Sequence, residues 1–398
     1  MGNKPTRNLH LQHLEDSIIE WGAEGGVKAI NILQSLGQFM TGQGQKAIAV
    51  TTKFDGAPAV ICGTDPSDGK FFVGTKSVFS QTPKLCKTPA DVRSQYSGAL
   101  QEKLLMSLEH FAKLDIKGVL QGDLMFTNDK QEQKIQGEDF ITFRPNTITY
   151  AARMGSELQK KISKSKIGIV FHTKYTGNTL AEMQSSFSIS DNDFTKTEDV
   201  WVEKAEFKDI GGMCKFSTAE RQQYDRAINR ASGSLRQAST TLNAIQSGKK
   251  TLQIDTEFKK FFNSYVREGR EIPSVSIAYN EFLHHMGKEY DKKIKPLKTL
   301  KSQEKKVSEF VNMVRFFENN ERGLKMVIAS YMNIQFCKRM IVKKMKKVTS
   351  LNLFVDMGGG DYRVTTPEGF VALTSQGAVK LIDRLEFSRL NFIVPKQW

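Results

Sequence analysis

Thr51-Thr52-Lys53-Phe54-Asp55-Gly56-Ala57-Pro58-Ala59-Val60 sets one lysine at the end of a β-branched run, with an Asp-Gly pair two residues beyond it. The run predicts a strand. A lysine inside such a strand loses hydration, which lowers its pKa and makes the free amine available as a nucleophile. Four residues of Lys-x-Asp-Gly arise readily by chance, so their meaning depends on the chain around them.

Upstream, residues 8–40 predict helices: Leu11, Leu14, Ile18 and Ile19, then Ile30, Ile32, Leu33 and Leu36 after Gly25-Gly26, recur at three- and four-residue steps. They are expected to cover one face of a sheet. His10 and His13 share a helical face near Glu15 and Asp16; a solvated polar face outweighs a metal site there. Downstream, the period becomes two in Ala47–Val50, Ala59–Cys62 and Phe71–Gly74, with a turn at Asp65–Gly69 and Lys76-Ser77 closing the third strand. Leu104, Leu105, Leu108, Phe111 and Leu114 give residues 100–114 one apolar helical face. Gly118–Phe126 then reads as a buried strand interrupted by Asp123, and a carboxylate there requires a cation or donors. After Ile141–Pro145 a helix is expected to about Ser163, followed by a strand over Lys166–Tyr175.

The character changes near Gly211-Gly212. Ser217-Thr218-Ala219-Glu220 is a capping box, and Tyr224, Ile228, Ala231, Leu235, Ala238, Leu242 and Ile245 follow in heptad steps. A long helix is predicted, packed lengthwise on a partner that includes Val307, Phe310, Val314 and Phe317 and runs on after Gly323 from Met326 to Met345. Lysines crowd Lys288–Lys347, including Lys343-Lys344 and Lys346-Lys347, which suits either a solvated helix surface or one that tracks phosphates. Strand character returns at Leu351–Val355, with a hairpin turn at Gly358-Gly359-Gly360 and two further segments at Thr366–Ala372 and Gly377–Arg384.

A length of 398 residues with 39% hydrophobic content provides for a sizeable folded core. The net charge of +15 favours a polyanionic partner such as nucleic acid. Cys62, Cys86, Cys214 and Cys337 lie far apart without Cys-x-x-Cys spacing, which speaks against disulfide or zinc frameworks and for a reducing cytoplasm. No window reaches the roughly 18 apolar residues of a membrane span, and the polar start lacks a signal core.

Six of these features, taken in order, resemble the covalent nucleotidyltransferases, the superfamily of ATP-dependent DNA and RNA ligases and RNA capping enzymes. Lys53-Phe54-Asp55-Gly56 looks like the nucleophile motif, Lys76-Ser77 like the next, and Gly122-Asp123-Leu124 like the acidic motif with Asp where Glu is usual. Ile169-Val170-Phe171 is similar to the strand whose aromatic ring stacks on the base, Glu368-Gly369-Phe370-Val371 to the Glu-Gly motif, and Lys380 to the first lysine of the last motif. Pro58 replaces the arginine of DNA ligases, and Ile382 replaces a second lysine, with Arg384 as its substitute. Only 18 residues follow Lys380, too few for the oligonucleotide-binding barrel of DNA ligases and capping enzymes, and roughly 140 separate the aromatic strand from Glu368-Gly369. Among family members this favours an RNA ligase.

The resemblance implies an α+β fold, an antiparallel-sheet nucleotidyltransferase core (1–210 and 350–398) interrupted by an inserted all-helical, lysine-rich domain (211–349). It implies Lys53 as the catalytic nucleophile, with nucleotide contacts from Thr52, Asp55, Gly56, Lys76, Asp123, Phe171, Glu368, Lys380 and Arg384. ATP is the expected cosubstrate, with magnesium or manganese held by Asp123 and Glu368. The expected reaction joins the 5′-phosphate and 3′-hydroxyl ends of RNA through lysyl-AMP. The alternatives are DNA joining, and a non-catalytic nucleic-acid-binding protein on a decayed core.

Overall fold

The computed structural model describes residues 13–42, 49–207, 212–249, 252–348, 351–374 and 377–388. The chain opens with α1 (Ser17–Glu20) and α2 (Gly22–Phe39), then β1 (Ala49–Lys53), β2 (Ala59–Thr64) and β3 (Phe71–Gly74). There follow α3 (Pro89–Gln95), α4 (Gly98–Phe111), β4 (Val119–Phe126), β5 (Gln131–Ile135), β6 (Glu138–Phe143), β7 (Ile148–Arg153), α5 (Glu157–Lys164), β8 (Ile167–Thr176), β9 (Gln184–Ser186) and β10 (Val200–Lys204). Four helices come next, α6 (Thr218–Ser247), α7 (Ile254–Glu268), α8 (Val275–Ile294) and α9 (Leu300–Met345). The last strands are β11 (Asn352–Gly358), β12 (Asp361–Val364), β13 (Gly369–Thr374) and β14 (Gly377–Leu381).

The strands form three sheets, and every pairing is antiparallel except that of β10 with β8. A central sheet runs β10-β8-β4-β2-β3, a second runs β12-β11-β7-β6-β5, and the smallest runs β1-β13-β14. One face of the central sheet packs on α3 and α4 through Val92, Leu104, Leu108 and Phe111. Its other face meets the second sheet through Met125, Phe126, Val170 and Trp201 against Phe143, Ile148 and Tyr150. The segment after the helices therefore supplies strands to two different sheets.

Between β6 and β8 the chain forms a strand at Ile148–Arg153, and the helix expected there is confined to Glu157–Lys164. The run Ile148-Thr149-Tyr150-Ala151-Ala152 is buried throughout, and burial on both faces hides the alternation that marks a strand. Lys76-Ser77 lies on a one-turn helix, Lys76–Phe79, beyond the end of β3.

Ser217 and Glu220 exchange side-chain and backbone hydrogen bonds at the start of α6. All seven heptad positions from Tyr224 to Ile245 are buried, and full burial of a leucine such as Leu242 contributes about 1.5–3 kcal/mol. Their partners are the second half of α9 and, on the other side, α2, where the Tyr224 hydroxyl donates to the Leu33 carbonyl at 2.7 Å. At Gly323 a Cβ would lie 1.8 Å from the Thr241 hydroxyl oxygen, so this glycine permits a close approach of α6 and α9, and α9 continues through it. The first half of α9 lies instead on α8, where Tyr290 packs on Phe310 and Phe282 on Phe317. Helices α2 and α6 to α9 share one apolar core with Val50, Phe370, Ala372, Val379 and Leu381 of the smallest sheet. The N-terminal helices thus reach a sheet face only as part of that bundle.

Gly358, Gly359 and Gly360 all have positive φ in the β11–β12 hairpin. The four cysteines are free and buried. No helix among the described residues is long and apolar enough to cross a membrane. His10 and Ala47-Ile48 lie outside the described residues.

Candidate active site

The register of the smallest sheet settles which side chains can meet. Thr51 pairs with Val371, which pairs with Lys380, while Thr52 pairs with Phe370, which pairs with Leu381. Cross-strand partners point the same way and successive residues point oppositely. Ala49, Thr51, Lys53, Val371 and Lys380 therefore share one face, and Thr52 lies on the other with Phe370 and Leu381, against the helical bundle. This removes the Thr52 side chain from the face of the nucleophile candidate.

Lys53 ends β1 opposite Gly369, and its ammonium forms an ion pair with the Glu368 carboxylate, 315 positions away in sequence. Gly369 could not be larger, since a Cβ there would lie 2.6 Å from the Leu381 carbonyl oxygen. Burial raises the Glu368 pKa, and the Lys53 charge works against that shift. Burial and the Lys53 ammonium together lower the Lys380 pKa. Two cations and one carboxylate thus stand together on a half-buried sheet face.

The loop after Lys53 is tied down at two points. The Asp55 carboxylate accepts hydrogen bonds from the Asn146 side chain at 2.7 Å and from the Thr147 and Ile148 N–H groups at 2.7 and 3.0 Å. The Asp55 N–H donates to the Tyr150 hydroxyl at 2.6 Å. Asp55 therefore anchors the loop to the β6–β7 turn. At Gly56 a Cβ would lie 2.5 Å from Asp123 Cβ and 3.0 Å from the Leu124 carbonyl oxygen, so the glycine lets the loop cross directly over β4. Burial, reinforced by the charges of Asp55, Glu368 and Asp123, pushes the Tyr150 phenol well above its ordinary pKa.

Asp123 is opposite Val170 in the central sheet, facing the second sheet, and His172 Nε2 approaches its Oδ1 at 3.8 Å. A close approach is required here too, because a Cβ on Gly122 would lie 2.6 Å from the Val170 carbonyl oxygen. Phe171, between Val170 and His172, faces the other way. Its ring is fully buried between Phe111 and Phe194, with centroids at 6.5 and 5.6 Å, and is closed to any base. Lys76 is exposed on its short helix. Arg384 is also elsewhere: its guanidinium is buried and donates to Asp16 at 3.1 Å, to the Tyr331 hydroxyl at 3.3 Å and to Asn263. The Thr52 side chain, the Phe171 ring and the Arg384 guanidinium are thus all directed away from the Lys53 face, although Phe171 is among the residues that line the cleft beside it.

No group of three or more His, Cys, Asp or Glu among the described residues is arranged to hold a metal ion. Magnesium is commonly held by one or two carboxylates together with substrate phosphates and water. Asp123, with a side chain one-fifth exposed, and Glu368 fit that use and no more enclosed one.

Sequence reasoning missed Tyr150, Asn146, His172 and Lys103. Lys103 of α4 donates to the Ala57 carbonyl at 3.2 Å in the loop after Lys53. For His172 the signal was present, the first polar side chain on a strand that opens apolar, two steps from Val170 and on the same face. Beside the cluster, over the same face of β1, a cleft of about 400 Å³ is lined by Thr51, His172, Ser186, Phe187, Lys204 and Glu206, among others.

Residues 8–396 match the model of a family described as being of unknown function, DUF6267, and the chain belongs to that family. No curated protein and no solved structure matches it.

Proposed function

We propose that this protein is an ATP-dependent RNA ligase built on a covalent nucleotidyltransferase core. The observation that carries the reading is the meeting of Lys53, Glu368 and Lys380 on one face of a sheet made from both ends of the chain. A strand lysine paired with a desolvated carboxylate, beside a second lysine, is the arrangement amine attack on phosphorus needs.

In the first step Glu368, whose affinity for a proton burial raises, takes the proton of the Lys53 ammonium. The Lys53 amine forms a bond to the α-phosphorus of ATP as the bond to the β-phosphate oxygen breaks, and pyrophosphate leaves. Lys380 offsets the phosphate charge. Asp123, and Glu368 once that proton has passed on to solvent, are the residues that would hold magnesium or manganese, which would supply further charge neutralisation. A 5′-phosphate oxygen of RNA next attacks the lysyl-AMP phosphorus and the Lys53 amine leaves, regaining its proton. The 3′-hydroxyl oxygen then attacks the adenylated 5′-phosphorus, its proton passing to solvent as the bond from that phosphorus to the AMP oxygen breaks, AMP departs, and a phosphodiester bond remains.

The helical section supports a polyanionic substrate. Lys288, Lys292, Lys295, Lys298, Lys301 and Lys305 are exposed around the α8–α9 hairpin, the part of the lysine-rich region suited to tracking phosphates. Of these Lys292 is paired with Glu289 at 2.7 Å, and in the later tract Lys344 and Lys346 are paired with Glu220 and Glu386 at 2.8 and 2.5 Å.

Incubation with α-labelled ATP and magnesium tests the reading: the protein should acquire an AMP label, and Lys53→Ala should abolish it. A label that survives in Lys53→Ala removes the nucleophile. RNA and DNA ends tested side by side separate the two ligase activities, and no label from ATP, GTP or NAD would favour a non-catalytic nucleic-acid-binding protein.

A further inference from the structure

The face of β1 that carries Lys53 continues past Thr51 and Ala49 into the cleft, whose far walls come from β10, the residues after it and the segment 185–189. Thr51 at the cleft edge is two residues from Lys53, roughly 7 Å along the strand. Part of the lining is small, at Ala49, Ala205, Ser185, Ser186 and Ser188, and leaves volume between the larger residues, Phe171 and Phe187 among them. At about 400 Å³ it lies within the range of about 300–1,000 Å³ usual for small-molecule sites.

Charge is segregated along this face. At the Lys53 end the two lysines outnumber Glu368, and Lys380 sits in one row with Val371 and Thr51. At the cleft end Lys204 is balanced by Asp191 at 3.1 Å and Glu206 at 3.8 Å, and an aromatic ring, Phe187, takes part in the lining. An anion is favoured at the first end. A neutral, flat group that forms hydrogen bonds is favoured at the second. The ring that strand position alone would offer to such a group, Phe171, is turned away into the helix-side core.

We infer that this cleft receives the nucleoside half of the nucleotide, with Phe187 against the base, Lys204 and Glu206 at its polar edge, and the phosphates extending to Lys380 and Lys53. The inference rests on the nucleotidyltransferase reading for the identity of the phosphate end. It assigns nucleotide selection to residues 184–206, a stretch outside every motif of the catalytic core.

Titration calorimetry of the full chain with α,β-methylene-ATP, whose α–β bridge cannot be cleaved, tests it together with inorganic tripolyphosphate. Stacking of a base on an aromatic ring predicts that Phe187→Ala weakens the nucleotide about tenfold or more and leaves tripolyphosphate unchanged. Ser186→Trp, which fills the cleft from an exposed edge strand, should do the same. Equal affinity of both variants and the wild type for the nucleotide overturns the inference, as does parallel loss of tripolyphosphate binding or no nucleotide binding by the wild type. AMP labelling with undiminished nucleotide binding in both variants would leave the ligase reading standing and this inference fallen. Selective loss of the nucleotide in a protein that never forms lysyl-AMP would do the reverse.

Discussion

The Lys53 ammonium and the Glu368 carboxylate meet as an ion pair across the β1–β13 ladder, next to a glycine that no larger residue could replace. The first and last thirds of the chain must therefore fold together before the pair exists. Half-burial makes the pair matter, because charges held out of water interact more strongly and cost more when one is left alone.

Glu368→Gln keeps the shape of the side chain and removes the charge and the proton acceptor. AMP transfer to Lys53 should fall by about 10²–10³-fold, the usual consequence of losing one preorganised electrostatic group. Some stability should be lost as well, since Lys53 and Lys380 are left together without their carboxylate, so labelling is compared per folded molecule. A gel assay for the label alongside a thermal melt checks this, and wild-type labelling by Glu368→Gln would refute the role.

Asp55→Asn should act on stability and not on nucleotide contacts. The carboxylate accepts from three donors, and an asparagine whose oxygen serves the Thr147 and Ile148 N–H groups sets its NH2 against the Asn146 amide, so one bond is lost and the others lose their charge assistance. A cost of about 3 kcal/mol is expected, read from denaturant unfolding, with nucleotide affinity per folded molecule unchanged. A large affinity loss at unchanged stability would make Asp55 a ligand contact.

Gly56→Ala asks whether the loop must touch β4. The added methyl would meet Asp123 Cβ and the Leu124 carbonyl, and backbone cannot yield as a flexible side chain does. Overpacking of this kind costs about 1–3 kcal/mol. Because the loop would lift away from Asp123, AMP labelling should fall further than stability alone explains. Labelling at the wild-type rate in the folded variant would show that the close approach is dispensable.

Much of the site was legible because its residues break local patterns: Lys53 at the end of an apolar strand, Asp123 within another, Glu368 beside a glycine. The α6 heptad was legible for the opposite reason, that every position kept the pattern. Thr52 was recoverable by the period of two, which sets it opposite to its neighbour Lys53. Phe171 was not, since both faces of β8 are covered and alternation cannot tell one apolar layer from another. Arg384 was beyond sequence reasoning, because its partners Asp16, Asn263 and Tyr331 come from three distant segments.

His13 supplies a pH dependence. Burial is the chief cause that lowers its pKa to about 3, and its Nδ1 is buried with no hydrogen-bond partner among the described residues. Between about 3 and the ordinary value of 6.5 the unfolded chain binds a proton that the folded chain refuses, so stability falls as pH drops through that window. His13→Gln should shrink the difference between urea midpoints at pH 7 and pH 4. An unchanged difference would mean that the imidazole is not the group responsible.

Lys338 and Glu15 test why buried charge is present at all. Their side chains are essentially inaccessible, and the Lys338 ammonium donates to both Glu15 oxygens at 2.6 and 2.7 Å. Burial opposes ionisation of Glu15, yet Lys338 and Arg384 hold its carboxyl below the usual range. Lys338→Met leaves that carboxylate without its principal partner and should cost about 3–5 kcal/mol, whereas Glu15→Met combined with Lys338→Met should recover most of the loss. The pair joins α9 to the segment whose His13 bridges β14 at Lys380, so its value lies in where it holds that strand. The double variant should accordingly be stable yet slower in AMP transfer. Full activity in a stable double variant would show that apolar packing positions Lys380 equally well.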